Sequence, residues 1–313
     1  MDDESQNSNA AWTIGRAFNW TRDYLASKED KQARLSTEWL LADACGLSRL
    51  EVYTQFDKPL SPDERDILRE SVRRRATGEP LQYIVGEVGF RYLTIKVHPG
   101  VLIPRPETEV LVDLALKSLP AQEEGRSLQV LDLCTGSGCI GLALASERSD
   151  VQVTATDICP KAVTLAQENA QINKLSDRFK AVEADLFLPK EYTAEQFDLI
   201  VSNPPYIPSA GMDELPKEVA DFEPSLALCG GEDGLDIARR ILSEAPKYLK
   251  ESSRIILELD VRNAPLAADF AVQLNTYNFV DIASDLTGRK RFVLAEKGLC
   301  LAGEGTSKER GNL

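Results

Sequence analysis

Residues 130–141 read Val-Leu-Asp-Leu-Cys-Thr-Gly-Ser-Gly-Cys-Ile-Gly, and this stretch decides the fold. Its apolar start predicts a buried strand, and the glycines predict a tight turn into a helix that continues through Ala145. The second half matches the dinucleotide fingerprint G-x-G-x-x-G, which is a weak signal when taken alone. The context strengthens this signal, because a second predicted strand, Val151–Thr156, leads into Asp157. This aspartate lies about as far after the glycines as the acidic residue of the fingerprint is expected to lie. This part of the chain is therefore predicted to bind an adenosine-like nucleoside.

Two nucleoside ligands compete for this site: a dinucleotide and S-adenosyl-L-methionine. Asp132, at the end of the first strand, can pair with a ligand ammonium, whereas a carboxylate there would repel a pyrophosphate at the helix N-terminus. The charge pattern therefore favours S-adenosyl-L-methionine, with Asp157 accepting hydrogen bonds from the ribose hydroxyls. The cofactor contacts predicted in the glycine loop are Asp132, Cys134, Thr135, Gly136, Ser137 and Gly138.

A second motif, Asn203-Pro204-Pro205-Tyr206, follows the apolar run Phe197–Val201, which reads as a buried strand. The motif would lie at the carboxyl end of that strand, where open α/β sheets bind their ligands. Two prolines stiffen the turn, and the residue before a proline is held extended, so Asn203 points in a fixed direction. Its amide oxygen and the Pro204 carbonyl can accept both hydrogens of a substrate NH2 group, while Tyr206 offers a stacking face. The motif predicts a site that holds a planar amide or amine nitrogen; the alternative is a rigid surface turn.

The rest of the chain predicts an α/β protein with a helical region in front. Residues 11–80 show a helical pattern, in which the aromatic side chains are expected to be mostly core, and Ser61-Pro62-Asp63-Glu64 combines an N-cap, a first-turn proline and a capping-box glutamate. Residues 81–100 are expected to form a β-hairpin linker, with strands at Tyr83–Val85 and Tyr92–Val97. Helices and strands then alternate, which favours a parallel sheet with an antiparallel final pair. The predicted strands are Gln129–Leu133, Gln152–Thr156, Lys180–Ala184, Asp198–Ser202, Arg254–Glu258, Val280–Ala283 and Arg291–Ala295.

Composition and charge narrow the class of protein. Of 313 residues, 43% are hydrophobic, as in an ordinary globular protein, and no apolar run is long enough to span a bilayer. Six scattered cysteines without a C-x-x-C pair, one histidine (His98) and an acidic, polar N-terminus predict a cytoplasmic protein without a metal site. The net charge of −14 argues against stable nucleic-acid binding. Four arginines, Arg69, Arg73, Arg74 and Arg75, cluster near a predicted helix end; a solvated helix face is favoured over a contact for an acidic partner.

These motifs together resemble one enzyme family. The first stretch is similar to the first motif of class I methyltransferases, with Cys134 where a glycine usually stands, and class I methyltransferases with N-P-P-Y modify amino or amide nitrogens. Within that set the chain resembles the HemK/PrmC family, the glutamine N5-methyltransferases of peptide chain release factors. Residues 78–87, Phe90, and residues 102–109, 222–224 and 230–234 carry further likeness, and the similarity spans about residues 12 to 295. Asp260 departs from the family, which tends to have a glycine there.

The resemblance implies a fold and a reaction. It implies a class I, Rossmann-like methyltransferase domain over residues 101–297 with a mixed seven-stranded sheet, and a helical substrate-recognition domain over 11–80. It implies S-adenosyl-L-methionine as cofactor, class I release factors as protein partners, a catalytic set of Asn203, Pro204 and Tyr206, and a substrate-binding set that adds Pro205. Composition predicts disordered ends at 1–10 and 298–313 and no membrane association. Asp185 resembles the acidic residue beside the adenine, with Leu186 and Phe187 packing against the base. Glu107 and Thr108 are expected near the methionine part.

Three alternatives stay open at this point. A DNA adenine N6-methyltransferase shares the logic of the Asn203 motif and flips its base out of the stack, but the acidity and the lack of a target-recognition domain argue against it. A glutamine methyltransferase acting on a ribosomal protein is chemically closer. A non-enzymatic binding module is disfavoured because Asp132, Asp157 and Asn203 are all present.

Overall fold

The computed structural model describes residues 11–188 and 196–298. The chain divides into a helical unit, which comprises the residues up to Glu87 together with 97–99 and 216–222, and a catalytic unit, which comprises the rest. Disorder was predicted for residues 1–10 and 298–313. Apart from Gly298, these residues lie outside the described ranges.

The helical unit contains the helices expected from the sequence. Its core consists of apolar side chains from successive helices, and Ile14, Leu25, Leu40, Leu41 and Val52 are fully buried in it. Burial of these side chains is what stabilises helices of this length, since isolated helices of about 15 residues are marginal in water. The helices are α1 (Ile14–Ser27), α2 (Ala33–Cys45), α3 (Arg49–Thr54), α4 (Pro62–Ala76) and α5 (Leu81–Val85).

The capping box predicted at Ser61 is confirmed. The Ser61 hydroxyl accepts a hydrogen bond from the Glu64 backbone N–H (3.2 Å), and the Glu64 carboxylate accepts one from the Ser61 backbone N–H (2.7 Å). Pro62 occupies the first turn, where its missing N–H costs no hydrogen bond. Two backbone donors at the start of α4 are thereby satisfied, which stabilises the helix end by about 1 kcal/mol.

The prediction for residues 81–100 was partly wrong. Tyr83–Val85 lies in helix α5 instead of a strand, because Pro80 precedes a single helical turn that Gly86 ends in the left-handed conformation (φ 83°). The hairpin is shorter and later than expected, with β1 (Glu87–Phe90) paired to β2 (Leu93–Lys96). The aromatic side chains of residues 11–80 were expected to be mostly core, and Trp20 does not follow that expectation, since it is 51% exposed and stacks on Tyr24.

The catalytic unit is built on a seven-stranded mixed sheet, as predicted. The strand order is β5-β4-β3-β6-β7-β9-β8; the first five strands are parallel, and β9 runs antiparallel to its neighbours β7 and β8. Its strands are β3 (Leu128–Leu133), β4 (Val151–Asp157), β5 (Phe179–Glu183), β6 (Phe197–Ser202), β7 (Leu249–Glu258), β8 (Tyr277–Ser284) and β9 (Lys290–Lys297). In the described ranges the remaining α-helices are α6 (Thr108–Ser118), α7 (Cys139–Glu147), α8 (Pro160–Ile172), α9 (Lys217–Ala220), α10 (Asp236–Glu244) and α11 (Asn263–Gln273), and short 3-10 helices lie at Ser209–Glu214, Ser225–Ala227 and Ala245–Lys247.

Register within the sheet aligns the ends of its central strands. Leu133 pairs with Thr156 on one side and with Ser202 on the other, and Ser202 in turn pairs with Leu257. Because these strands are parallel, the residue after each pairing position emerges at the same edge of the sheet. The central strands β3 and β6 are buried on both faces, as expected of a sheet covered on both sides.

The four clustered arginines pair with carboxylates of their own chain. Arg69, Arg73 and Arg74 form ion pairs with residues on or just after α4, at 2.5–2.6 Å. Arg75 is mostly buried and bridges Asp30 (2.8 Å) and Glu218 of α9 (2.7 Å). Arg69 and Arg73 are exposed, as expected of a solvated helix face, whereas Arg75 is only 11% exposed and does not fit that interpretation. The ion pairs leave the basic charge locally balanced.

No helix in the described ranges combines the length and the apolar character needed to cross a membrane.

The packing around Gly141 in α7 generates a stability prediction. A Cβ added there would lie 2.8 Å from both Phe179 and Val153, whereas a Cβ on Gly89 of β1 would meet nothing within 4 Å. We expect Gly141→Ala to lower the free energy of unfolding by about 1–3 kcal/mol, the usual cost of overpacking, despite the better helix propensity of alanine. Gly89→Ala is the matched control and should leave the thermal midpoint nearly unchanged. Equal midpoints for the two variants would contradict the close packing of α7 on the sheet.

Candidate active site

A cavity of about 260 Å³ opens at the carboxyl edge of the sheet, within the catalytic unit. Its wall combines polar groups from strand ends with apolar side chains such as Ile140, Ile158 and Leu186. This mixture suits a ligand that has a planar apolar part and a hydroxylated part. Of the predicted cofactor residues, the cavity is lined by Cys134, Thr135, Gly136, Ser137, Asp157, Asp185, Leu186 and Asn203.

The glycine loop follows β3 in an unusual backbone conformation. Cys134, Gly136 and Gly138 all have positive φ, at 56°, 55° and 83°. Glycine adopts this region freely, but a residue with a Cβ is strained there, at a cost of roughly 1–2 kcal/mol. The left-handed backbone at Cys134 is therefore strained, and contacts with neighbouring residues must offset the free-energy cost of that strain.

Asp132 supplies such contacts from beneath the loop. Its Oδ2 accepts hydrogen bonds from the Thr135 hydroxyl (2.6 Å) and from the Gly141 backbone N–H (3.1 Å), which ties the loop to the first turn of α7. The carboxyl is fully buried, and burial raises its pKa to about 7. Asp132 is not among the residues that line the cavity, and neither is Gly138, so pairing of Asp132 with a ligand ammonium stays a prediction.

Asp157 lines the cavity and also holds the backbone of two other residues that line it, Gly136 and Cys159. One carboxylate oxygen accepts from the Gly136 backbone N–H and the other from the Cys159 backbone N–H, both at 2.9 Å. Burial raises the pKa of this carboxyl above its ordinary value, against the opposing effect of the backbone N–H groups of Cys159, Gly136 and Ile158. Each carboxylate oxygen can accept a second hydrogen bond, so both retain capacity for a ligand hydroxyl.

The end of β5 contributes a charged group and an apolar one. Asp185 forms an ion pair with Arg240 of α10 (3.0 Å), and both side chains are about half exposed. Leu186 is buried with φ at 66°, and its backbone carbonyl accepts from the Thr156 hydroxyl (2.6 Å). Phe187, expected to pack against a base, instead stacks on Tyr248 with ring centroids 4.5 Å apart and does not line the cavity. Arg240 was not predicted from the sequence, because its partner Asp185 lies 55 residues earlier and no local pattern marks the pair.

Asn203 and Pro205 line the cavity, whereas Pro204 and Tyr206 do not. The Asn203 Nδ2 donates a hydrogen bond to the Thr108 hydroxyl at the start of α6 (3.2 Å). Pro204 is buried, and Tyr206 packs against the hydrophobic core, where burial raises the pKa of its phenol to about 12. The substrate roles predicted for Pro204 and Tyr206 stay predictions.

The loop at residues 230–234 braces the Asn203 motif from behind. A Cβ on Gly230 would lie 2.6 Å from the Pro205 carbonyl oxygen and 2.8 Å from the Tyr206 Cα, so only glycine permits this approach. The Asn263 amide donates to the Tyr206 carbonyl (2.9 Å). These contacts hold the backbone that follows Asn203, and Asn263 is a supporting residue that the sequence analysis missed.

Two of the stretches singled out in the sequence meet through an ion pair. Arg105, from the segment before α6, donates to the buried carboxylate of Glu223 (2.6 Å). Arg105 and Pro224 both line the cavity. Glu107, expected near the ligand, is the N-cap residue of α6 and does not line the cavity, whereas Thr108 does.

Asp260, which departs from the family pattern, accepts hydrogen bonds from the Arg262 backbone and side chain (3.0 and 2.9 Å), and these bonds order the turn into α11.

No group of three or more His, Cys, Asp or Glu side chains in the described ranges is arranged to hold a metal ion.

Comparison with known proteins gives consistent matches. Residues 16–86 match the family model "PrmC N-terminal domain", and residues 93–216 match "Methyltransferase small domain". The chain is 47% identical over 253 residues to the release factor glutamine methyltransferase of Geobacter sulfurreducens, covering 81% of this chain and 86% of the relative. It is 39% identical over 292 residues to the protein of that name from Rhodopirellula baltica, covering 93% and 98%. Among solved structures, the hMettl16 catalytic domain in complex with MAT2A 3'UTR hairpin 6 shares the fold, with a TM-score of 0.53, 19% identity and coverage of 73% and 82%.

The position of Asp157 generates a binding prediction. Asp157→Ala removes a charged acceptor from the cavity wall, a loss that costs roughly 1.5–3 kcal/mol, so affinity for S-adenosyl-L-methionine should fall at least tenfold. Because the carboxylate also accepts hydrogen bonds from Gly136 and Cys159, the variant should be less stable as well. We expect the loss in free energy of unfolding to be smaller than the loss in free energy of cofactor binding. Titration calorimetry measures the affinity, and Asp113→Ala, an exposed aspartate outside the cavity, is the control. Unchanged affinity would refute the assignment of Asp157 to the ligand.

Proposed function

The chain belongs to the release factor glutamine methyltransferase family, and we propose that it transfers a methyl group from S-adenosyl-L-methionine to the side-chain amide nitrogen (N5) of a glutamine in a class I peptide chain release factor. The acceptor we propose is the glutamine of the Gly-Gly-Gln loop. One observation carries the proposal: Asn203, in a motif suited to hold an amide, opens onto the same cavity as the glycine loop and Asp157.

The residues of the cavity fit the proposed cofactor. Asp157 offers acceptors for ribose hydroxyls, and Ile158 and Leu186 offer apolar surface for an adenine, with Asp185 at the same strand end. The buried Asp132 Oδ1 has no hydrogen-bond partner among the described residues. We therefore propose that it pairs with the ammonium group of S-adenosyl-L-methionine. When bound, S-adenosyl-L-methionine supplies a strongly electrophilic methyl group, so the protein's task is mainly to align a weak nucleophile.

Asn203 performs the central part of that alignment. Its Nδ2 is engaged by Thr108, which leaves Oδ1 as an acceptor for one hydrogen of the substrate amide, while the Pro204 carbonyl accepts the other. Two fixed acceptors favour the positive charge that develops on the nitrogen. Tyr206 would stack on the amide plane. No strong base is required, because the nitrogen becomes acidic once it is cationic.

The release-factor substrate is favoured over the alternatives. The curated relatives carry that name, and residues 16–86 match the PrmC N-terminal domain model. A DNA substrate would meet a chain of net charge −14 whose clustered arginines are already paired with carboxylates. We further propose that the helical region, about residues 11–80, recognises the folded factor, and that the catalytic domain extends over 101–297.

A methylation assay tests the function. The enzyme is incubated with isotope-labelled S-adenosyl-L-methionine and a class I release factor, and mass spectrometry locates the label. We expect one methyl on the loop glutamine, and none on a factor with alanine in its place.

A short peptide that carries the loop should have a far lower kcat/KM than the intact factor, because binding energy from remote parts of the factor positions the amide. Labelling of duplex DNA or of a ribosomal protein instead would overturn the proposal.

Substitutions in the Asn203 motif test the mechanism. Asn203→Ala should lower the single-turnover rate by roughly 10²-fold or more, the scale of losing a positioning or charge-stabilising contact, while cofactor affinity falls less. Tyr206→Ala should be harmful and Tyr206→Phe milder, because stacking needs the ring and not the hydroxyl. Asn278→Ala, at an exposed position on β8, is the matched control. A rate within a few-fold of wild type for Asn203→Ala would show that Asn203 does not orient the nucleophile.

A further inference from the structure

The turn between β8 and β9, residues 285–289, presents an apolar side chain to solvent. Leu286 is 92% exposed and is the most exposed large hydrophobic residue in the described part of the chain. A single exposed leucine is ordinary on a protein surface, so the setting of this one must be considered. Both the build of the turn and its place in the sheet distinguish it.

The side chain of Asp285 holds the turn in shape. Its carboxylate is 2% exposed and accepts hydrogen bonds from the backbone N–H groups of Thr287 (2.9 Å) and Arg289 (3.0 Å) and from the Thr287 hydroxyl (2.6 Å). The Nε atoms of Arg289 and Arg291 also donate to it, both at 3.0 Å. The Gly288 N–H donates to the Asp285 carbonyl (2.9 Å), with φ of Gly288 at 82°. These bonds leave the turn little conformational freedom.

The turn itself does not require a leucine. Residue 286 is the second position of the β-turn that the Gly288 N–H and the Asp285 carbonyl close, and this position accepts most residue types. At 92% exposure the Leu286 side chain buries almost no apolar surface, so it adds almost nothing to the stability of the fold. Contact with another molecule would bury it, and a rigid turn presents it for such contact at little cost in entropy.

Sheet register places the turn at the same edge as the cavity. Because β9 runs antiparallel to β7, its start lies beside the end of β7, where Phe292 pairs with Glu258. The preceding residue of β7, Leu257, pairs with Ser202, which comes directly before Asn203. Two strand spacings, roughly 10 Å, separate β6 from β9. A protein whose amide reaches Asn203 therefore extends over this turn.

An ion pair connects the turn to the wall of the cavity. The Arg289 Nη2 lies 4.0 Å from the Glu107 carboxylate at the start of α6. The next residue, Thr108, lines the cavity and accepts the hydrogen bond from Asn203. Arg289 is 48% exposed and Lys290 is exposed as well, so basic groups adjoin the leucine. The turn is thus continuous with the active site and suits an apolar surface flanked by carboxylates.

We propose that the β8–β9 turn docks the protein substrate, with Leu286 packing against an apolar surface of the release factor beside its acceptor loop. The inference rests on the proposed function and adds to it a contact that holds the factor while the glutamine reaches Asn203. Leu286 does not touch the reacting atoms. Arg289 and Lys290 pair with carboxylates around that surface of the factor.

Two variants and a matched control test the docking role in the full-length enzyme. Leu286→Ser removes the apolar contact, and Leu286→Met retains it. The control is Ile172→Ser, because Ile172 is 45% exposed and ends α8, which leads away from the carboxyl edge after β4. For each enzyme, kcat and KM are measured with the intact factor and with a short peptide that carries the loop. Titration calorimetry gives the affinity for S-adenosyl-L-methionine, and sedimentation velocity gives the oligomeric state.

We expect Leu286→Ser to lower kcat/KM for the intact factor about tenfold, the scale of one leucine side chain lost from an interface. The change should lie mainly in KM, because the contact is made equally before and during the reaction. Leu286→Met and Ile172→Ser should stay within about twofold of wild type, as surface substitutions usually do. With the short peptide, which leaves the turn uncovered, Leu286→Ser should match wild type, and cofactor affinity should be unchanged.

Three outcomes would overturn the docking role, and they differ from failure of the function itself. A wild-type kcat/KM of Leu286→Ser for the intact factor refutes the contact while methylation continues. An equal loss with the peptide shows that the substitution acts on the catalytic centre. A change in oligomeric state shows that Leu286 contacts a second copy of the chain. Absence of methylation by the wild-type enzyme instead refutes the proposed function.

Discussion

Parallel pairing in one register is the constraint on which the rest of the site depends. Because Leu133, Thr156, Ser202 and Leu257 are aligned across four strands, the residues that follow them emerge side by side at one edge. Those residues are Cys134, Asp157, Asn203 and Glu258. A shift of one strand by one residue would reverse the faces of all its side chains and separate these groups. The sheet thus brings residues up to 69 positions apart in the sequence, Cys134 and Asn203, onto neighbouring strand ends.

The site retains local features that oppose stability. Cys134 has a left-handed backbone, and Asp132 and Glu258 are buried carboxylates whose pKa values burial raises to about 7. Features of this kind concentrate at functional sites, where the surrounding structure must compensate. Here the compensation comes from the apolar sheet beneath, whose central strands are buried along nearly their whole length.

Rigidity behind the Asn203 motif matters as much as the motif itself. The backbone of Pro205 and Tyr206 packs against Gly230, and Asn263 donates to the Tyr206 carbonyl. Arg105 and Glu223 join two further stretches of the chain beside the cavity. For a reaction in which a weak nucleophile must be aligned, such fixed supports contribute more than an additional charged group would, because alignment is the main barrier.

The sequence by itself determined the strands of the seven-stranded sheet, the glycine loop, the capping box at Ser61 and the Asn203 motif, because periodicity and turn chemistry are local properties. It misassigned Tyr83–Val85, since a short apolar run suits a short helix or a strand equally well. Only the tertiary structure placed Asp132 beneath the loop, turned Phe187 onto Tyr248 and brought Thr108 to Asn203. Those partners lie up to 95 residues apart, so their contacts follow from sheet register and packing and leave no local pattern to read.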